Sequence, residues 1–156
     1  MSDSFASQLA AARLGEEWAI AGIWRDIHPR LLRYLQGSLR DGSAEDLASD
    51  VWLEVAPKLA RFHGGESEFR AFVFTIAHRR VIDQGRRARR RRTTPVPPDA
   101  PVFNIPAPEQ ADDRLTLDAA LAMIADLPRR QAEVILLRVV GDLSVEETSR
   151  VMNRRP

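Results

Sequence analysis

The sequence predicts an all-α protein with two small helical domains joined by a proline-rich linker. Apolar residues recur at spacings of three and four along most of the chain, which is the period of an amphipathic helix. No segment shows the alternation that is typical of a half-buried strand. Six of the ten prolines fall within residues 93–111, where no helical period is present. We therefore predict one domain over residues 1–92, a flexible linker over 93–111 and a second domain over 112–156.

Composition narrows the possible classes of function. The 156 residues include no cysteine, which excludes disulfides, thiolate metal sites and thiol nucleophiles. The three histidines lack the spacing of metal ligands, so we expect neither a metal nor another cofactor. No phosphate-binding glycine loop, catalytic triad or carboxylate pair stands out, which argues against an enzyme. Without a signal-peptide core or an apolar run of membrane-spanning length, the chain is expected to be soluble and cytoplasmic.

The first domain is expected to hold three or four helices. An apolar stripe from Ile20 to Leu39 has the helical period, and Pro29 within it is expected either to kink the helix or to open a second one. Ser43 and Asp46 resemble a capping box, which predicts the start of the next helix. The apolar stripe of that helix comprises Leu47, Val51, Val55 and Leu59.

A longer helix is predicted after a glycine-containing loop. Ser67 is positioned to cap this helix. Its apolar face comprises Phe69, Phe72, Val73, Ile76 and Ala77. The helix then continues into a block of arginines. Residues 61–92 contain ten arginines and three acidic residues, a local charge of +7 in a chain of net charge +1. A helix that is anchored in a core at one end and strongly cationic at the other is typical of nucleic-acid-binding proteins.

The second domain is expected to hold three helices. The first ends near Asp126, and Pro128 opens the next, which stops at Gly141. The residues expected inside this middle helix are Val134, Ile135, Leu137 and Val139. Ser144 and Glu147 form a capping box that starts the third helix. This order matches the front half of a helix-turn-helix, whose groove-reading helix is missing, so we expect a truncated chain.

Three segments of the sequence are similar to the extracytoplasmic-function (ECF) sigma factors, the small promoter-specificity subunits of bacterial RNA polymerase. The segments are HPRLLRYL at 28–35 with AEDLASDVWLEV at 44–55, FRAFVFTIAHRRVIDQGRRARRR at 69–91, and LPRRQAEVILLRVVGDLSVEETSRVM at 127–152. Their order and spacing cover most of the chain. The sequence departs from the family at Arg79, where an asparagine is usual, at Gly85, where an apolar residue is usual, and in lacking the −35 recognition helix.

The resemblance implies two functional domains, named domain two and domain four. In the family, domain two grips the clamp helices of the large polymerase subunit and opens the −10 promoter element. The implied partners are core RNA polymerase, promoter DNA as duplex and as single-stranded non-template strand, and an anti-sigma factor that holds the protein inactive. The implied location is the cytoplasm, with nucleoid association when the protein is bound to polymerase.

Three candidate sites follow, and the first is the outer face of the second predicted helix. This acidic face combines carboxylates with an exposed leucine, which suits docking on a basic protein surface. The resemblance implies that it binds the polymerase clamp helices. Its members are Asp46, Ser49, Asp50, Leu53 and Glu54.

The second candidate site is the loop of residues 61–67, here called the −10 loop. The resemblance implies that this loop captures a base flipped out of the non-template strand, and its glycines permit a close backbone approach. The residues assigned to this role are Arg61, His63, Gly64, Gly65 and Glu66. Phe62 is instead expected to pack in the core.

The third candidate site, the arginine stripe, lies along the long helix. Its cations can follow a duplex phosphate backbone, since residues three and four apart share a helix face. The stripe comprises Arg79, Arg80, Arg86, Arg87 and Arg90. Asp83 is expected to orient one of the neighbouring arginines.

Two other classes of function remain as alternatives. A helical DNA-binding transcription regulator that acts without polymerase would need the reading helix of the helix-turn-helix. A pure interaction module, such as a polymerase-binding decoy, would leave the arginine block unexplained.

Overall fold

The structure, a computed structural model, describes residues 2–91 and 112–152 and confirms the predicted all-α class. Helix α1 spans Ser2–Arg13, α2 Glu17–Ser38, α3 Ala44–Leu59 and α4 Glu66–Arg91. Helix α5 spans Asp112–Ala125, α6 spans Arg129–Ile135 and continues as a π-helical segment over Leu136–Val140, and α7 spans Val145–Val151. The predicted linker over 93–111 lies outside the described residues.

Helix α2 lies at the centre of the fold and touches α1, α3, α4, α5 and the π segment. Its buried face includes Leu31, Tyr34 and Leu35, each fully buried, and the Tyr34 ring meets Phe74 of α4 edge-on at 5.3 Å. Pro29 lies within α2, so the prediction that it opens a second helix is wrong. Apolar residues on both sides of the proline are buried on one face. This packing keeps the helix continuous although Pro29 cannot donate a backbone hydrogen bond.

Two of the three predicted helix caps are wrong. The Ser43 hydroxyl and backbone N–H both donate to the Asp41 carboxylate, so Ser43 makes no side-chain cap for α3. Helix α4 begins at Glu66, which places Ser67 inside its first turn. The Glu68 carboxylate accepts instead from the Gly65 N–H at 3.0 Å. At Ser43 the charge-assisted hydrogen bond to Asp41 turns the hydroxyl away from the helix, and at α4 the helix starts too early for Ser67 to be its cap.

The third predicted cap, at α7, is confirmed as a reciprocal capping box. The Glu147 N–H donates to the Ser144 hydroxyl at 3.1 Å, and the Ser144 N–H donates to the Glu147 carboxylate at 2.8 Å. Two backbone donors at the start of the helix are thus satisfied by one serine and one glutamate.

The middle helix of the second domain buries only part of the face predicted for it. Leu137 is fully buried as predicted, whereas Val134 and Val139 are exposed and Leu136, which was not predicted inside, is buried. Val139 lies in the π segment, whose wider turn changes the direction of its side chains relative to a regular α-helix. Gly141 closes the segment by donating to the Leu136 carbonyl at 2.9 Å. A Cβ there would lie 2.7 Å from the Leu137 carbonyl oxygen, so only glycine fits.

The apolar core is continuous between the two predicted domains. Leu136, Leu137, Leu143 and Val151 belong to the same buried cluster as the core residues of α1–α4. Helix α7 packs on α4, and the π segment packs on α2. Among the described residues, no helix is long and apolar enough to cross a membrane.

Replacing Leu31 with alanine is expected to destabilise the fold by about 2–5 kcal/mol, because the change leaves a cavity at a fully buried site. Leu53→Ala serves as the matched control, since Leu53 is 73% exposed and its loss is expected to change stability by no more than about 0.5 kcal/mol. Urea unfolding followed by circular dichroism measures both. Equal losses in the two variants would contradict the central position of α2.

Candidate functional site

The acidic face of α3 is presented to solvent because the opposite stripe of the helix is buried. Leu47, Val51, Val55 and Leu59 point into the core. On the outer side Asp46, Ser49, Asp50 and Leu53 are exposed. The Ser49 hydroxyl donates back to the Glu45 carbonyl at 3.1 Å and is thereby held against its own helix. Four of the five predicted residues therefore form one accessible patch.

Glu54, the fifth predicted member of the acidic face, turns toward α4. Its carboxylate accepts hydrogen bonds from Lys58 at 2.8 Å, from Arg79, and from Arg80 at 2.9 Å. These donors, Lys58 foremost and the two arginines with it, lower the pKa of Glu54 to about 2. Two members of the predicted arginine stripe are thus paired with a member of the predicted acidic face. The two surfaces, which sequence reasoning treated as separate, meet at this carboxylate.

The −10 loop is exposed along its predicted residues. Arg61, His63, Gly64, Gly65 and Glu66 are all exposed. Phe62 packs against the core as predicted, with its ring 5.1 Å from the ring of Phe69 and 5.3 Å from that of Phe72. The loop thus has a rigid aromatic base and an accessible polar rim.

Gly64 is the position in the −10 loop where glycine is required. Its φ is +154°, a conformation that side-chain-bearing residues rarely adopt. A Cβ at this position would lie 3.1 Å from the Phe62 ring and 3.1 Å from the Glu68 Cβ. The bend of the loop therefore requires a residue without a side chain at position 64.

The cationic end of α4 extends away from the core. Arg86, Arg87, Arg89, Arg90 and Arg91 are exposed. Asp83 makes no ion pair with Arg79, Arg86 or Arg87, so its predicted orienting role is wrong. Arg79 reaches Glu54 instead, which leaves the terminal arginines unpaired with any described carboxylate. Uncompensated cations of this density attract a polyanion.

An aromatic cluster beside α3 was missed from the sequence. The Trp24 ring stacks on His28 at 4.2 Å, and the Trp52 indole N–H donates to the His28 Nδ1 at 3.1 Å. Burial lowers the pKa of His28 against the opposing effect of Glu45. A neutral imidazole fits the role of hydrogen-bond acceptor. The spacing of Trp24 and His28, four residues apart on α2, was the available signal.

Two family models match the chain. The Sigma-70 region 2 model matches residues 23–91, and the Sigma-70, region 4 model matches residues 117–156. The ECF RNA polymerase sigma factor ShbA of Streptomyces griseus is 35% identical over 159 residues, which cover 91% of this chain and 80% of that protein. The chain belongs to the ECF RNA polymerase sigma factors.

Other relatives agree with this assignment. The ECF RNA polymerase sigma factor SigD of Mycobacterium tuberculosis is 33% identical over 151 residues, covering 90% of this chain and 70% of that protein. The ECF RNA polymerase sigma factor BldN of Streptomyces coelicolor is 29% identical and covers 92% of this chain and 55% of that protein. This ECF sigma factor therefore acts in transcription initiation with core RNA polymerase and promoter DNA, which confirms the predicted family and function.

The region 2 match of the ECF sigma factor contains all three candidate sites. It begins within α2 and ends at the last residue of α4, so it spans the acidic face, the −10 loop and the arginine stripe. Helix α1 lies before it and contributes Phe5, Leu9 and Ala12 to the core. The roles predicted for individual residues, and the domain boundaries at 92 and 112, stay predictions.

Glu54 is expected to make the stability of the ECF sigma factor fall in acid. Its folded-state pKa of about 2 lies below the ordinary value of 4.5, so the ionised group stabilises the fold fully above pH 4.5. That contribution is lost progressively as the pH falls from 4.5 toward 2. Urea midpoints measured across this range should fall less steeply for Glu54→Gln than for the wild type.

The matched control for this pH dependence is Asp46→Asn. Asp46 is an exposed carboxylate on the same helix. The control should keep the wild-type pH profile. If Glu54→Gln also kept that profile, the link between α3 and α4 through Glu54 would contribute nothing to stability.

Proposed function

We propose that domain two of this sigma factor docks on the polymerase clamp through the acidic face and captures an unstacked base of the −10 element at the −10 loop. The arginine stripe follows duplex phosphates upstream of the melted region. The observation that supports this proposal is the contact between α3 and α4 at Glu54, which holds the acidic face next to the arginine stripe. Binding and strand separation involve no covalent step.

The acidic face supplies a docking surface of suitable chemistry. Asp46 and Asp50 place two carboxylates beside Leu53, which is 73% exposed. An exposed leucine gains free energy when a partner covers it, while the carboxylates select a basic partner and reject an acidic one. The nearby Trp24, 44% exposed, extends the apolar part of the surface onto α2.

Strand separation follows from the preference of the −10 loop for single-stranded DNA. A base held by stacking and edge hydrogen bonds contributes about 1–3 kcal/mol, a gain that a paired base in duplex does not provide. Capture therefore shifts the population of promoter DNA toward the open state. Phe62 anchors the loop on Phe69 and Phe72, and Arg70 holds Glu66, so little ordering of the loop is required on binding.

Domain four and an anti-sigma factor complete the proposal. The region 4 match and the three helices from α5 to α7 support a boundary between the functional domains inside residues 92–111. Since ECF sigma factors are usually inhibited by a partner that covers their polymerase-binding surface, we assign the acidic face with Leu53 to that partner as well. The proposed location is cytoplasmic, with nucleoid association in the polymerase complex.

Charge reversal by Asp50→Lys is expected to abolish binding to core RNA polymerase, because it places a cation against a basic partner surface. The matched control is Glu17→Lys, which makes the same change at an exposed position at the start of α2. Fluorescence anisotropy with labelled sigma factor measures both affinities. Normal binding by Asp50→Lys would remove the acidic face from the proposed interface.

Replacing Arg86 and Arg87 with alanine is expected to weaken binding of the polymerase complex to fork-junction DNA and to leave core binding unchanged. Loss of two phosphate contacts makes the slope of log affinity against log salt shallower by about 2. A titration of DNA binding at several salt concentrations measures this slope. An unchanged slope would show that the cationic end of α4 does not touch phosphate.

A further inference from the structure

We propose that Arg70 and Arg30 form a phosphate site beside the −10 loop, which Asp142 of domain four occupies in this arrangement. In the active state a backbone phosphate of the single −10 strand takes the place of the Asp142 carboxylate. Domain four therefore inhibits DNA capture until it is displaced. This inference rests on the proposed function and adds to it both a binding site and its regulation.

The contacts of Arg70 carry the argument. One of its terminal nitrogens donates to Glu66 at 2.8 Å, and the other donates to the Asp142 carboxylate at 2.9 Å and to its carbonyl at 3.2 Å. Arg30 approaches the same carboxylate oxygen at 3.7 Å. Two guanidinium groups thus converge on one anionic group, which is the arrangement that proteins use for phosphate.

The position of this site links it to the −10 loop. Glu66, the loop residue predicted to meet the captured base, shares Arg70 with Asp142. The Arg70 side chain is only 13% exposed. When Asp142 leaves, one side of this largely buried cation loses its partner and can accept another anion. The strand entering the −10 loop brings phosphates to that place.

The cleft beside Arg70 has room for a phosphate group. It has a volume of about 320 Å³ and lies between α1, α2 and the start of α4. Its titratable side chains are Asp26, Arg30, Glu66 and Arg70. Asp142 contacts Arg30 and Arg70 but does not line the cleft, which holds two cations and two carboxylates. One of these carboxylates, Glu66, is already bound to Arg70. Arg30 and the free side of Arg70 remain available to a phosphate.

Asp142 is held in place by the backbone as well as by charge. Its φ is +54°, the left-handed region that aspartate and asparagine tolerate better than other side chains. It follows Gly141, which is buried against the core. The carboxylate is thus aimed at Arg70 by a short turn between the π segment and α7.

Further contacts hold domain four against domain two and make this arrangement a defined state. Arg40 donates to the Ala125 carbonyl at 2.6 Å. His78 contacts the Glu133 carboxylate in a buried setting, with the Tyr34 hydroxyl beside it. Leu136 is 1% exposed and lies against Gly37, where a Cβ would come within 2.7 Å of a leucine methyl. Displacement of domain four must break all of these contacts together.

The test measures binding of the full chain, without polymerase, to a fluorescent oligo(dT) strand, because phosphate contacts do not depend on sequence. Asp142→Asn keeps the backbone preference at this position and removes the competing charge. We expect it to raise the affinity about tenfold by freeing Arg70. Asp126→Asn makes the same charge change at an exposed position of domain four and should leave the affinity close to that of the wild type.

Arg70→Gln in the Asp142→Asn background identifies the site. The gain in affinity should disappear, and the salt slope should become shallower by about 0.7, the value for one phosphate on a single strand. Equal affinities for Asp142→Asn and Asp126→Asn would overturn the proposal. A gain that persists without Arg70 would overturn it as well.

A disulfide lock provides an independent test, because the chain has no native cysteine. In the double variant Gly37→Cys, Leu136→Cys the new sulfurs occupy the space of the Leu136 methyl groups. The oxidised protein should bind oligo(dT) more weakly than the same protein after reduction. Equal binding would overturn the inhibitory role of domain four. Polymerase binding, measured with Asp50→Lys and its control Glu17→Lys, tests the proposed function separately from these results.

Discussion

The burial of one face of α2 is the constraint on which the rest of the structure depends. Helices α1, α3, α4 and α5 and the π segment all pack on it. Helix α2 therefore sets the relative positions of the acidic face, the −10 loop and the arginine stripe. The face is apolar on both sides of Pro29, and that continuity keeps a proline-containing helix in one piece. Because α3 and α4 are both fixed on α2, the acidic face and the −10 loop keep a fixed geometry before any partner binds.

Glu54 then determines how the charges of domain two are distributed. It pairs with Arg79 and Arg80 near the middle of α4, whereas the arginines beyond Gly85 are unpaired among the described residues. Positive potential is therefore concentrated at the far end of the helix, away from the acidic face. In the proposed function a DNA strand is drawn to that end, while Asp46 and Asp50 of α3, which pair with no described cation, are left for the polymerase clamp.

Much of the fold from α2 onward could be predicted from periodicity, but α1 was not assigned, although its buried Phe5, Leu9 and Ala12 follow the helical spacing. The errors fall where a local contact competes with a pattern. Ser43 and Ser67 have the sequence of caps, but Asp41 binds the Ser43 hydroxyl and α4 starts before Ser67. The π segment could not be anticipated, because one extra residue in a turn leaves no mark in composition. Asp142 gave no signal either, since its partners Arg30 and Arg70 are distant in sequence.

Arg70 shows why long-range pairing matters for function here. In sequence it is one more arginine near the start of α4, and it was assigned no role. In the structure it joins the −10 loop, through Glu66, to domain four, through Asp142. A single guanidinium can satisfy both carboxylates only while the two domains are in contact. Any event that draws domain four away therefore changes the charge presented beside the loop, which is why we propose that the position of one domain and the DNA affinity of the other are linked.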